Sequence, residues 1–529
     1  MIISQQTQKL IQRYQAWQRG LEPAKQGTAV IHVDEVASKV AVFYEKIRGV
    51  IDWREEHLFR RAGIERILKR RLFLTKTGEN LAESFVLELI RGGYFPNDRI
   101  EETKIQDVQR ILDKYIFILQ KSRAISGEKI KFQLYDWLLS LAACEVEEIL
   151  EPNRRERALI EFMEESMREK IIAPTGMPDS EKNTQISIGV QQALFKLDKN
   201  TISYQLLKEK YPDWFNLPQL RLEEISQNIY SIWKTIEKDL AHPLAGKFYK
   251  ILERYDTPYL ILGDVLSVDP QKAQEMILDT GTLEGAIKET YSKRLHKLSS
   301  RLKKAAIFST ISIFLTKMVL AFIAEIPVDI YILHNQLNLQ ALGLSVIIPP
   351  LLMFAMVLSI KPPKKSNLEK VIMETTKIIF TTEKKDNYKI YATKKRGFLL
   401  SAIIFIVYLI TFFVSFAFIL WSLDKLSFGL MSKIIFIIFF SLIFFAGAKI
   451  RERSKELTVE EEKGGLFSFL FDSFSLPFLR LGQWLSGQWT RFNIVMVMIT
   501  ALIDMPFHLF TELLEQWRYF IKEKKDEIR

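Results

Sequence analysis

The sequence is poor in the groups from which most catalytic and metal centres are built. Its 529 residues hold one cysteine, Cys144, in the run LLSLAACEVEEIL. A single thiol excludes an intramolecular disulfide and any multi-cysteine metal site, and in an apolar run it reads as a small core residue. The six histidines, His32, His57, His242, His296, His334 and His508, are scattered without metal-ligand spacing. There is no G-x-x-x-x-G-K-S/T, no H-E-x-x-H and no G-x-S-x-G. No enzyme, metal or cofactor is therefore expected. The N-terminus, MIISQQTQKLIQRYQAWQ, has no apolar core of a secretory signal, so the first 300 residues are expected in the cytosol.

Excess charge is missing where a nucleic-acid binder would need it. Residues 1–300 carry 45 Lys and Arg against 44 Asp and Glu, while the whole chain carries 74 against 63. Nearly all of the net +11 thus falls in the second half, beside long apolar runs. That pairing follows the rule that Lys and Arg flank membrane spans on the cytoplasmic side. Nucleic acid is not the expected partner.

What residues 1–300 do contain is helical periodicity. Val33, Val36, Val40, Phe43, Ile47 and Val50 step by three and four, a short heptad seam. FRRAGIERILKRRLFL (59–74) sets Arg60, Arg61, Arg66, Lys69, Arg70 and Arg71 around Ile64, Ile67, Leu68 and Leu72. A basic amphipathic helix can lie on anionic lipid, or its charges can be balanced by acidic helices nearby. Further helices are expected at 78–91, 102–122, 127–171 with a break at Pro152, 184–198, 200–211, 217–240, 243–254, from Pro270, and 282–304. APTGMPDSEKN (173–183) marks a boundary between two cytoplasmic helical domains, 1–172 and 184–304.

Four apolar runs then have the length to cross a bilayer: 305–324, 339–360, 398–421 and 433–450. The connection 361–397 holds 11 basic and 4 acidic residues, whereas HNQLN (334–338) has no Lys or Arg. Both termini and the 361–397 loop are accordingly expected on the cytoplasmic side of the cell membrane. Inside that loop KIIFTT-EKKDN-YKIYAT (377–393) reads as a β-hairpin. The tail 464–529 is too polar in its first half to span. Its Trp484, Trp489 and Trp517 beside Arg480 and Arg491 suggest interfacial or re-entrant amphipathic helices touching anionic headgroups.

One segment breaks the apolar pattern. FLTKMVLAFIAEIPVDIYIL (314–333) carries Lys317, Glu325 and Asp329, spaced in multiples of four. Lys317 lies 12 residues past Ala305, about 18 Å at 1.5 Å per residue. Pro327 and, in the next span, Pro349 and Pro350 remove backbone donors. Broken helices with paired charges are the parts of a midplane ion or substrate site. They are equally the parts of a span end, with Lys317 reaching toward headgroup-level acids, or of a structural ion pair. MVLAFIAEIPVDIY (318–331) and VMITALIDMPFHLF (497–510) align on the proline, setting Glu325 against Asp504 and Pro327 against Pro506, as a weak duplication would.

The expectation is thus an all-α polytopic membrane protein: cytoplasmic helices, spans 305–360 and 398–450, and tail helices over 464–529. Its expected role is a membrane-anchored scaffold whose cytoplasmic helices bind a protein partner. The alternative is a homo-oligomeric channel or transporter using the charges of the first span.

Overall fold

The computed structural model describes the chain apart from residues 1, 21–28, 35–37, 41, 43–58, 76–79, 123–126, 333–337, 361–362, 364, 381–386, 392–396, 460–465, 492–509, 511–512, 515, 519, 522 and 526–529. The described residues are overwhelmingly helical. In order they form α1 (Gln5–Arg19), α2 (Phe59–Thr75), α3 (Leu81–Arg91), α4 (Thr103–Lys121), α5 (Glu128–Leu150), α6 (Arg154–Lys170) and β1 (Ile171–Ile172). Next come α7 (Asp179–Phe195), α8 (Lys199–Lys210), α9 (Gln219–Leu240), α10 (Ala245–Arg254), α11 (Asp256–Val268) and α12 (Ala273–Leu278). The rest is α13 (Thr280–Leu320), π turns at Ala321–Glu325 and Val328–Ile332, α14 (Leu339–Leu358), α15 (Lys365–Ile379), β2 (Tyr388–Lys389), α16 (Phe398–Lys425), α17 (Leu430–Ser454) and α18 (Leu466–Arg491).

The chain divides into two compact units. The first comprises Met1–Gln274, Ile379–Ala392 and Val495–Arg529. Its helices are amphipathic: α4 buries Val108, Ile111, Leu112, Tyr115 and Ile118, one stripe at three- and four-residue steps. Such stripes converge on an apolar core with members from Ile31 to Ile236. The break at Pro152 falls where expected, between α5 and α6. The 173–183 stretch does not divide the unit: α6 and α7 pack together across it. It is a turn, because the faces on both sides need each other for burial. Of the heptad seam, Val33 is fully buried but lies outside any helix, and Val36, Phe43, Ile47 and Val50 are outside the described residues.

The hairpin expected at 377–393 is also corrected. Lys377–Ile379 ends α15, because Val371, Thr375 and Ile379 make a buried i, i+4, i+8 helical stripe. Tyr388–Lys389 pairs instead in parallel with Ile171–Ile172. Ile379 and Tyr388–Tyr391 belong to the first unit and are held there. The Ile379 carbonyl accepts from the Ser4 N–H at 3.0 Å and from Thr7 Oγ1 at 3.1 Å. Tyr388 stacks on Tyr255 at 4.6 Å, and Lys247 Nζ donates to the Tyr391 carbonyl at 2.6 Å.

The second unit comprises Glu275–Ile378 and Thr393–Ile494. Among its described residues four helices are long and apolar enough to cross a membrane: Thr280–Glu325, Leu339–Leu358, Phe398–Lys425 and Leu430–Ser454. The first is one continuous helix with its basic approach, capped by the Asp279 side chain, which accepts from the Thr282 N–H at 3.2 Å. α13, α14 and α17 pack against one another, and α18 packs on α16 and α17. The tail helix α18 is no separate surface element. Asp472 lies 3.8 Å from Arg451, the rings of Phe478 and Phe444 are 6.0 Å apart, and Gly482 abuts the Ser441 carbonyl. As α18 advances its contacts on α17 recede, so the two helices run antiparallel along the C-terminal half of α17. An apolar stripe drives this: Phe478 is fully buried, 4.8 Å from both Phe416 and Phe440. Only glycine fits at 482, where a Cβ would collide with backbone. Outside the apolar spans Asn367 joins three segments, donating to Tyr291 Oη at 2.9 Å and the Leu457 carbonyl at 2.6 Å and accepting from the Val459 N–H at 2.9 Å.

Candidate functional site

The charged segment resolves into a closed network. Lys317 Nζ donates to Glu325 Oε1, and both side chains are 0 % exposed. Ser345 Oγ, on α14 and also fully buried, donates to Glu325 Oε2 at 3.2 Å. The ammonium also lies 5.9 Å from the centre of the Phe439 ring on α17. Three helices therefore enclose the pair.

Pro327 explains how residues eight apart can meet. In a regular α-helix they are about 80° out of line. Pro327 has no N–H and its ring crowds the preceding turn. The backbone answers with a π turn, in which the Ile326 N–H bonds the Ala321 carbonyl. A π turn rotates less per residue, which brings positions 317 and 325 close to one stripe. Asp329 falls in the second π turn, and its side chain is outside the described set. Pro349 and Pro350 are buried inside α14, which continues through them, so the broken helix expected there is absent. Asp504 and Pro506 lie outside the described residues, and so does the comparison of 497–510 with 318–331. The sequence reading missed Ser345. Its signal was position: it stands one turn before Pro349, where a hydroxyl can serve groups the proline leaves open.

The basic helix α2 turns most of its charge inward. Arg61 pairs with Asp198 and with Glu65 at 3.3 Å, and Arg70 pairs with Glu88; these two guanidiniums are buried and unavailable to a headgroup. Arg71 reaches Glu88 at 2.6 Å, and Lys69 reaches Glu65 and Asp136, each at 2.8 Å. Arg60 meets Glu151 at 2.9 Å, and Arg66 donates to Tyr94 Oη at 2.8 Å. The acidic-helix balance explains this cluster, since each cation has a local acceptor. Arg480 is exposed over the Tyr408 ring, and Arg491 ends α18 with its side chain outside the described set.

A second buried pair went unread in the sequence. Lys114 Nζ donates to Glu145 Oε1 at 2.5 Å and to the Trp214 carbonyl at 2.8 Å. Tyr115 Oη and Trp214 Nε1 both donate to Glu145 Oε2, at 2.9 and 3.0 Å. Burial dominates the titration here, raising the Glu145 carboxyl and lowering the Lys114 ammonium, each opposed by the partner's charge. Elsewhere in the first unit burial pushes Asp256 up to about 8, against the opposing charge of Lys196. Glu164 is pushed up to about 7 and the Cys144 thiol to about 12 by the same cause. Among the described residues no group of three His, Cys, Asp or Glu side chains is placed to hold a metal.

Comparison with family models, with curated proteins and with solved structures finds no match. Function therefore has to be argued from these networks. Chemically, the Lys317–Glu325–Ser345 set neutralises charge inside an apolar bundle and pins α13 to α14. It exposes no titratable atom from which an ion could be passed on.

Proposed function

We propose that this chain is a membrane-anchored scaffold whose first unit, on the cytoplasmic side of the cell membrane, binds a protein partner. The observation that carries the reading is the closure of the intramembrane network: Lys317, Glu325 and Ser345 are fully buried and satisfied by one another. Polar side chains that hydrogen-bond between apolar helices hold those helices together, as Ser345 and Glu325 do here. The asymmetry of basic residues around the spans supports the orientation, and anionic lipid is the expected neighbour of the cytoplasmic ends. A face for the partner is offered by a cleft of about 580 Å³ between α4 and the start of α5, lined by Leu72, Ile116, Leu119 and Tyr135, with Phe132 66 % exposed at its edge. The test is site-specific photo-crosslinking from position 132 of the full chain in native membranes. A discrete adduct that Phe132→Asp abolishes is expected, and its absence from folded protein refutes this face.

A homo-oligomeric channel or transporter is the second reading, favoured by the π turns beside an ion pair, a combination frequent at functional positions in membrane helices. Ion and proton flux in proteoliposomes decides it. Flux in the native chain that Lys317→Met and Glu325→Gln both abolish would replace the scaffold reading.

A further inference from the structure

The second unit carries one charge at hydrocarbon depth that no described carboxylate neutralises. Arg480 stands exposed on α18 with its guanidinium 4.9 Å from the centre of the Tyr408 ring. Two observations set its depth. Asp472 lies 3.8 Å from Arg451, at the basic end of α17, and Arg480 is eight residues, about 12 Å, further along α18. Tyr408 is ten residues, about 15 Å, along α16 from Phe398, which follows closely on Lys394, Lys395 and Arg396. The opposite face of α18 is apolar and packed, with Phe478 and Gly482 against α16 and α17. Gln483 and Trp484 are exposed beside Arg480 on the outer face.

An arginine at this depth, facing lipid, is stable only where water or an anion reaches it. Hydrocarbon supplies neither, and Asp472 lies too far back along the helix and next to Arg451. We infer that Arg480, backed by Tyr408 and flanked by Gln483 and Trp484, seats the phosphate of a phospholipid drawn below the level of its neighbours, thinning the bilayer along α18. The chemistry fits. The guanidinium presents a planar fork that binds phosphate through two parallel hydrogen bonds. The Tyr408 ring fixes its plane and leaves its edges free. Trp484 suits the boundary between acyl chains and headgroups. This inference rests on the membrane placement of α16 and α17, and not on the scaffold role.

The full chain in a phosphate-free detergent is offered phosphatidylglycerol, phosphatidylcholine or a galactolipid, and bound lipid is read by native mass spectrometry. Both phospholipids are expected to be retained, with the galactolipid held at least about ten-fold more weakly. Arg480→Gln should lose that preference, and Arg480→Lys should keep part of it, since an ammonium binds phosphate as a point charge. Equal retention of galactolipid by the native chain overturns the proposal whatever the variants do. So does displacement of phospholipid by excess inorganic phosphate, which would mark a free-anion site. A dimer that forms in place of lipid binding and is lost in Arg480→Gln would assign the face to a second copy. Release of the chain from membranes by alkaline carbonate would instead refute the membrane placement itself.

Discussion

Among the described residues two lysine–glutamate pairs are buried, and they are built on opposite plans. Lys114–Glu145 joins positions 31 apart on two helices and recruits the Trp214 carbonyl from 100 residues away. Lys317–Glu325 spans eight residues of one helical segment and takes one hydroxyl from a neighbour. The difference follows from the surroundings. A pair in the core of the first unit gave up water to be there, so stability requires hydrogen bonds to nearly every remaining lone pair and proton. These bonds also fix where the 211–218 loop lies. A pair inside a helix apolar enough to cross a membrane would have to be neutral before entering lipid, and a partner on the same segment is present from the start.

Breaking the first pair should have the largest effect. Glu145→Ala leaves a buried ammonium facing Tyr115 and Trp214 and is expected to cost about 3–5 kcal/mol, seen as loss of the first unit's unfolding transition at moderate denaturant. The double change Lys114→Met with Glu145→Leu should recover most of that loss. A double variant as unstable as the single one would show that the network matters for shape more than for charge. For the second pair, Lys317→Met leaves Glu325 with Ser345 alone and should cost about 2–3 kcal/mol in detergent unfolding. Adding Glu325→Leu should reverse it, and a silent single variant would mean that water reaches the site. The smallest effect sharpens the contrast by pH. Asp256 binds its proton up to about 8 in the fold, against 3.8 as its ordinary value. Between those values the folded chain holds one more proton than the unfolded chain, so stability falls as pH rises and levels off above 8. The melting temperature of the first unit should drop by a few degrees from pH 7 to pH 8, and Asp256→Asn should flatten that slope.

The parts of this architecture that sequence revealed are those set by local rules. Apolar runs announce helices that can span, and stripes such as Val108–Ile111–Tyr115 announce amphipathic ones. Pro152 ends a helix wherever it sits. What stayed hidden depends on tertiary choice. Glu145, Glu147 and Glu148 are nearly adjacent in EVEEIL, yet Glu145 meets Lys114 in the core while Glu148 meets Lys208 near the surface. Nothing in the string separates them. The KIIFTT run has strand composition, yet its first three residues, Lys377–Ile379, finish a helix whose buried stripe is Val371, Thr375 and Ile379. For the candidate site, the spacing of Lys317 and Glu325 placed them near one face. That they touch depended on a π turn, which no simple periodicity encodes.

The contacts of Ile379 and Tyr388–Tyr391 within the first unit have a consequence for how the protein is made. A ribosome finishes Gln274, the end of that unit's main stretch, about a hundred residues before it delivers Ile379. At roughly 5–20 residues per second that is a delay of some seconds. During it Ile171 and Ile172 have no strand partner, and Ser4 and Thr7 have no carbonyl to cap. Two apolar spans leave the exit tunnel in the same interval. The N-terminal body can therefore make these last contacts only after two helices long and apolar enough to cross a membrane have been synthesised, so its completion is timed by their passage.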